Sequence, residues 1–252
     1  MNTPTDAEGM NPTTNAEGMN PTTAAYRQRR SPNQAPRPDG VAIDMLVLHY
    51  TGMRSAAAAL DRLCDAQAKV SCHYVVEEDG TIWSLVDEDS RAAHAGISHW
   101  RGWSGLNDRS IGIEIVNPGH EHGYREFPVL QLAAVCELAL GIMGRHPIAP
   151  RNVVGHSDIA PDRKQDPGEL FPWQEFAANG VGIWPGADAR PAADPMAALA
   201  EIGYRTDLPL AVLLTAFQRH WRPGRVDGRA DAQTLQRLEA VRSLISPPDR
   251  HG

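Results

Sequence analysis

The chain has 252 residues, room for one medium domain and a small one, and its 42% hydrophobic and 22% charged residues are those of an ordinary soluble globular protein. A formal net charge of −7 removes the electrostatic case for nucleic acid or an anionic membrane surface as partner. The three cysteines, Cys64, Cys72 and Cys136, lie in apolar or helical patterns without CxxC spacing, which suits reduced thiols rather than a disulfide framework.

Residues 1–39 are polar and rich in Pro, Thr, Asn and Gly, and they carry the octapeptide AEGMNPTT twice, at Ala7–Thr14 and Ala16–Thr23. So short a repeat builds no core, and disorder is the expectation. The Arg29-Arg30 pair is followed by polar, Pro-rich residues rather than an apolar run, and there is no lipobox cysteine. No stretch reaches the length of a membrane-spanning helix. The expected location is the cytoplasm, with the periplasm as the alternative if a leader has been removed.

The globular part begins near Gly40. Ile43–Gly52 is apolar and β-prone and predicts a buried strand that ends in His49. Ser55 is placed to cap a helix running to about Asp65. His73–Glu78 and Thr81–Val86 predict a hairpin about Glu78-Asp79-Gly80. Arg91–Arg109 is irregular and holds His94, His99, Trp100 and Trp103, an unusual content for a loop without a task. Ser110–Asn117 predicts a second buried strand with one carboxylate, Glu114, among isoleucines. An ionised Glu there needs compensation, which a nearby metal ion would supply. Pro128–Gly144 predicts an amphipathic helix and Arg151–Gly155 the last strand.

Gly155–Gly168 then reads as an ordered loop punctuated by Gly and Pro. It offers an imidazole, His156, and a carboxylate, Asp166, to a metal. Two ligands are too few for catalytic zinc, which takes three from the protein and keeps a position for water. His49, at a strand end of the kind where α/β sheets place ligand sites, is the best third. Asp158 and Asp162 compete with Asp166, although Asp158 is close enough to His156 to tie its own turn. Glu114 is then a base that is not a ligand, with an ion pair to Arg109 as its structural alternative. Lys164 is either a solvated lysine, as most are, or held near the metal by its neighbour Asp166. Beyond the loop, Phe171–Phe176 starts a closing helix. A Gly/Ala/Pro segment at 181–195 reads as a linker, and Met196–Ile202, Leu208–His220 and Ala230–Leu244 predict three short helices.

Five ordered motifs carry a resemblance: Leu48-His49-Tyr50-Thr51, Ser71-Cys72-His73-Tyr74, His94-Ala95-Gly96, Asn107–Glu114 and the His156–Gly168 loop. Over roughly residues 40–175 they resemble the zinc N-acetylmuramoyl-L-alanine amidases of the amidase type 2 family. Residues 216–231 resemble part of the three-helix peptidoglycan-binding module. The resemblance implies an α/β fold, a central mixed β-sheet flanked by helices, with a small C-terminal three-helix bundle. It implies a catalytic domain over 40–180, a linker over 181–195 and a helical domain over 196–246. One Zn2+ held by His49, His156 and Asp166 is implied, the family pattern favouring Asp166, with Glu114 as acid/base and Lys164 on the oxyanion.

The implied activity is hydrolysis of the amide between N-acetylmuramic acid, in its 1,6-anhydro form, and L-alanine, in cell-wall recycling. Muropeptides are the expected partners. Trp100, Arg101 and Asn107 are expected to contact the substrate. His73 and His94 either do the same or satisfy backbone carbonyls. Arg91, Arg101 and Arg109 are the cations available for stem-peptide carboxylates. Cys72 stands where relatives place a tyrosine, which leaves the acid/base work to Glu114. A periplasmic amidase acting on intact peptidoglycan is the alternative. A non-catalytic recognition module is disfavoured by the full ligand set.

Overall fold

The computed structural model describes residues 26–186 and 189–245, and the duplicated octapeptide lies outside them. The described chain opens with two short strands, β1 (Arg27–Gln28) and β2 (Gln34–Pro36). Next come β3 (Met45–Tyr50), α1 (Ala56–Leu63), and the strands β4 (Tyr74–Val76) and β5 (Ile82–Ser84). The stretch before the second long strand contains β6 (Ser90–Ala92), β7 (His99–Trp100) and β8 (Trp103–Ser104). After β9 (Ser110–Ile115) follow α2 (Gly119–His122), α3 (Val129–Arg145) and β10 (Val153–Gly155). The last strand runs straight into α4 (His156–Ile159), and α5 (Trp173–Ala178) comes next. Three helices close the described chain: α6 (Pro195–Ile202), α7 (Leu210–Trp221) and α8 (Ala232–Ile245).

The main sheet has the order β1-β5-β4-β9-β3-β10 and is mixed: β4, β9, β3 and β10 run parallel, whereas β4 and β5 pair antiparallel. Strand β3 is apolar along its length because both of its faces are covered, as for a central parallel strand. Leu46 and Leu48 pack with Ile111, Ile113 and Ile115 against α3 and α5. Met45 and Val47 point the other way, into a cluster with Leu199, Phe217, Leu238 and Val241 of the last three helices. Ser55 accepts a hydrogen bond from the Ala58 N–H at 3.2 Å and starts α1 as its cap.

Two expectations are corrected here. Residues 26–39 are ordered: β1 adds to the main sheet beside β5, and β2 pairs antiparallel with β6. Arg37 anchors this strap, its guanidinium donating to the carbonyls of Glu88, Asn107, Asp108 and Ser110 at 2.9–3.2 Å. Nor do the described residues of 181–195 form an open spacer. Val181 is buried in the α3 side of the core, Trp184 packs against both clusters, and the Ala192 N–H donates to the Leu235 carbonyl. The C-terminal helices therefore share a core with the sheet. Among the described residues no helix is long and apolar enough to cross a membrane.

Candidate metal centre

The cleft opens at the carboxyl ends of the parallel strands, the usual place for a site in such a sheet. Register brings its residues together. His49 lies directly opposite Glu114 between β3 and β9, and Gly155 opposite Leu48 between β10 and β3, so His156 emerges beside His49. The loop after α4 then turns back on itself. A Cβ on Gly155 would stand 2.8 Å from Pro167 Cδ, so only glycine allows this approach. The Ser157 N–H donates to the Asp166 carbonyl at 2.9 Å and holds the return.

Three donor atoms converge as a result. His49 Nδ1 is 2.9 Å from His156 Nδ1 and 2.9 Å from Asp166 Oδ2, and His156 Nδ1 is 3.0 Å from the same oxygen. Hydrogen-bond logic settles the tautomers. Ser110 Oγ donates to the Leu106 carbonyl, so it accepts from His94 Nε2–H. His94 Nδ1 is left as an acceptor for His49 Nε2–H at 3.0 Å. His156 Nε2–H donates to the Ala95 carbonyl at 3.2 Å. Both His49 and His156 thus carry their proton on Nε2, and both Nδ1 lone pairs point at a carboxylate oxygen. Burial, and then the neighbouring His156, push the pKa of His49 down to about 4, which keeps its ring neutral. Two neutral imidazole lone pairs and a carboxylate facing one another repel unless a cation stands between them. The donor set fits a metal ion with N and O ligands.

Glu114 shows the same incompleteness. Its Oε2 is buried without a hydrogen-bond partner among the described residues. Burial first, and then the Asp166 charge, push its pKa well above the carboxylate range, against a smaller opposing pull from Lys164. The Arg109 alternative is overturned, because that guanidinium is paired with Asp44. Lys164 lines the cleft with Tyr50, Glu114, His120, His156 and Asp166, around a volume of about 320 Å³.

Most of the expected substrate contacts lie elsewhere. His73 is fully buried, its Nδ1 accepting from the Gly112 N–H and its Nε2–H donating to the Ser90 carbonyl. Trp100 is buried against Tyr204, with ring centres 5.1 Å apart. Arg101 donates to the Ile202 carbonyl, and Asn107 Oδ1 accepts from the backbone N–H groups of His94 and Ala95. His94 reaches the cleft wall, but both its nitrogens are engaged. Arg91 pairs with Asp108. The cations lining the cleft are instead Arg62, Arg163 and Lys164. Sequence reasoning also passed over Tyr50 and His120. The Tyr50 hydroxyl donates to His120 Nδ1 at 2.9 Å, and His120 Nε2–H donates to Glu169. The histidine pair in Gly119-His120-Glu121-His122, just past a strand end, was the available signal.

The sequence matches the profile of the N-acetylmuramoyl-L-alanine amidase family over residues 39–169. It is 40% identical to N-acetylmuramoyl-L-alanine amidase AmiD of Escherichia coli over 229 residues, 79% of this chain and 82% of that protein. It is 35% identical to the 1,6-anhydro-N-acetylmuramyl-L-alanine amidase AmpD of Escherichia coli, over 60% of this chain and 89% of that one. Among solved structures, AmiD of Escherichia coli in complex with the substrate anhydro-N-acetylmuramic acid-L-Ala-D-γ-Glu-L-Lys matches with a TM-score of 0.72 at 38% identity, covering 86% of this chain and 93% of that one. AmpDh3 of Pseudomonas aeruginosa in complex with anhydromuramic pentapeptide matches with a TM-score of 0.74 at 34% identity, over 87% of this chain and 99% of that one.

Proposed function

Because the chain belongs to the N-acetylmuramoyl-L-alanine amidase family, we infer that its cleft hydrolyses the amide between N-acetylmuramic acid and the L-alanine of peptidoglycan fragments with the help of zinc. The observation that carries this reading is the convergence of the His49, His156 and Asp166 donor atoms, with tautomers already set for a cation. His49, His156 and Asp166 would hold the zinc, which would supply a water of lowered pKa and a Lewis acid for the scissile carbonyl.

The chain's own groups do the rest. Glu114, with its unpartnered Oε2 and raised pKa, takes a proton from the attacking water and hands it to the departing alanine nitrogen. Lys164, on the cleft wall with no carboxylate at ion-pair distance among the described residues, donates to the carbonyl oxygen as negative charge develops. Arg62 and Arg163 hold the stem-peptide carboxylates. Cys72 takes no part: its thiol is buried, donates to the Tyr74 carbonyl, and is pushed well above its ordinary pKa by burial.

The relatives act on or bind anhydromuramyl peptides, which supports the 1,6-anhydro fragment as substrate and cell-wall recycling as the role. The free thiols of Cys64, Cys72 and Cys136 fit a reducing compartment and support a cytoplasmic setting, which cell fractionation checks. The deciding experiment digests purified anhydromuramyl tripeptide and intact sacculi, each with and without a chelator. Chelator-sensitive release of peptide from the soluble fragment alone is the expected result. Equal release from sacculi would move the enzyme to the wall, and no release from either would end the catalytic reading.

A further inference from the structure

The metal loop is gripped from far along the chain. Asp158, two residues past His156, is buried, and its Oδ2 accepts from the Gly155 N–H at 2.8 Å. Its other partners come from the C-terminal region: the hydroxyl of Tyr204, just after α6, donates to Oδ1 at 2.5 Å, and His220 Nδ1–H of α7 donates to Oδ2 at 2.7 Å. The His220 ring is clamped between Trp173 and Trp221, with centroid distances of 3.8 and 3.9 Å. The preceding residue, Arg219, reaches the other end of the loop. Its Nε lies 3.4 Å from Glu169 Oε2 and its Nη2 3.5 Å from Gln165 Oε1, on either side of Asp166.

Two consecutive residues of α7 therefore meet the loop next to two different donors, His220 through a 2.7 Å hydrogen bond and Arg219 through a longer ion pair with Glu169, its Nε making no hydrogen bond among the described residues. Asp158, Arg219 and His220 are all buried, and burying charged and polar groups is costly unless they are paired. A helix that only packed on the sheet would present an apolar face, as Leu213, Leu214 and Phe217 do on the same helix. We propose that Arg219, His220 and Tyr204 are positioning residues for the metal loop, which makes the C-terminal helices part of the metal centre and not a detachable wall-binding module. This rests on the reading of His49, His156 and Asp166 as zinc ligands.

The test measures zinc affinity by chelator competition, and the absorption spectrum after cobalt(II) substitution, in the full chain. The variants are His220→Ala, His220→Asn, Tyr204→Phe and Leu238→Ala. Loss of supporting contacts to metal ligands weakens binding by roughly ten- to hundredfold. His220→Ala, which acts one bond further out through Asp158, is expected at the lower end of that range with an altered cobalt spectrum, and Tyr204→Phe in the same direction by less. His220→Asn keeps an N–H where Nδ1–H stood and recovers part of the loss. Leu238→Ala cuts the same apolar cluster but no polar tie to the loop, so it lowers thermal stability and leaves affinity alone. Should His220→Ala fail to fold, Tyr204→Phe, which deletes one hydroxyl, decides. Wild-type affinity and spectrum in both His220→Ala and Tyr204→Phe overturn the proposal, as does an equal loss in Leu238→Ala. A wild-type chain that binds no zinc overturns the ligand reading itself.

Discussion

His49 Nε2 lies 3.0 Å from His94 Nδ1, so a buried histidine that touches none of the other donors decides which nitrogen of His49 carries the proton. The instruction starts at the Leu106 carbonyl and passes through the Ser110 hydroxyl. Space for it is made by Gly112, where a Cβ would stand 2.5 Å from His94 Cγ.

Ser110→Ala frees His94 to take its other tautomer, which would move the His49 proton onto the donor nitrogen. We expect zinc affinity to fall by roughly tenfold, and by more in His94→Ala. Chelator competition on the purified variants checks this. Undiminished affinity in both would mean that the relay does not set the ligand.

Lys164 is assigned to the developing oxyanion and not to the metal. Lys164→Ala is expected to lower kcat by about a hundredfold or more while zinc content stays at the wild-type level. Steady-state kinetics beside metal analysis separates the two effects, and near-normal turnover in a fully loaded variant would remove Lys164 from the mechanism.

Arg62 is exposed on α1 and lines the cleft. One lost charge-assisted hydrogen bond to a substrate carboxylate corresponds to roughly a tenfold rise in KM with kcat nearly unchanged. Arg62→Ala is expected to show that pattern on anhydromuramyl tripeptide. The same substitution should cost nothing on a substrate cut back to the L-alanine alone if Arg62 reads a carboxylate further along the peptide.

Stability should fall in mild acid. Burial, and then the nearby Arg37 charge, depress the His73 pKa to about 3, against an ordinary value of 6.5. Between those values the unfolded chain binds a proton that the folded chain refuses, because Nδ1 already accepts from Gly112. The contribution of His73 is therefore complete above about pH 6.5 and is lost as pH falls toward 3, about 2 kcal/mol of it by pH 5. Urea unfolding of the metal-free protein at pH 7.5 and pH 5 measures this, and His73→Gln should flatten the dependence. An unchanged slope in that variant would assign the acid sensitivity to other groups.

The donor residues were legible because each ends or follows an element with a strong local signature. An unbroken apolar run marks β3, and a Gly/Pro-punctuated loop marks the return past His156. Trp100, Arg101 and Asn107 were misread because composition carries no direction. Trp100 turns inward to Tyr204, and Asn107 caps two backbone N–H groups, partners that only the tertiary fold supplies. The strap at 26–39 was invisible for a related reason. Its strands are two and three residues long, and one arginine side chain reaching distant carbonyls anchors it, so no periodicity marks it. The reach of α7 into the metal loop was equally hidden: Gln218, Arg219 and His220 are polar in sequence and buried in the fold.

Strand β10 occupies one edge of the sheet and carries the second half of the metal centre with it. His49 precedes His156 by 107 residues and Asp166 by 117, so during synthesis the first donor waits alone while the intervening chain is made. Such long-range closure is slow and depends on the apolar sheet forming first. The sheet core is apolar and needs no metal to close, so an ion held by these donors is expected to be captured by an already folded chain, the reverse of a zinc finger. A cell short of zinc would accumulate folded, dormant enzyme, ready to be switched on when the ion returns, where a metal-nucleated fold would instead be lost to proteolysis.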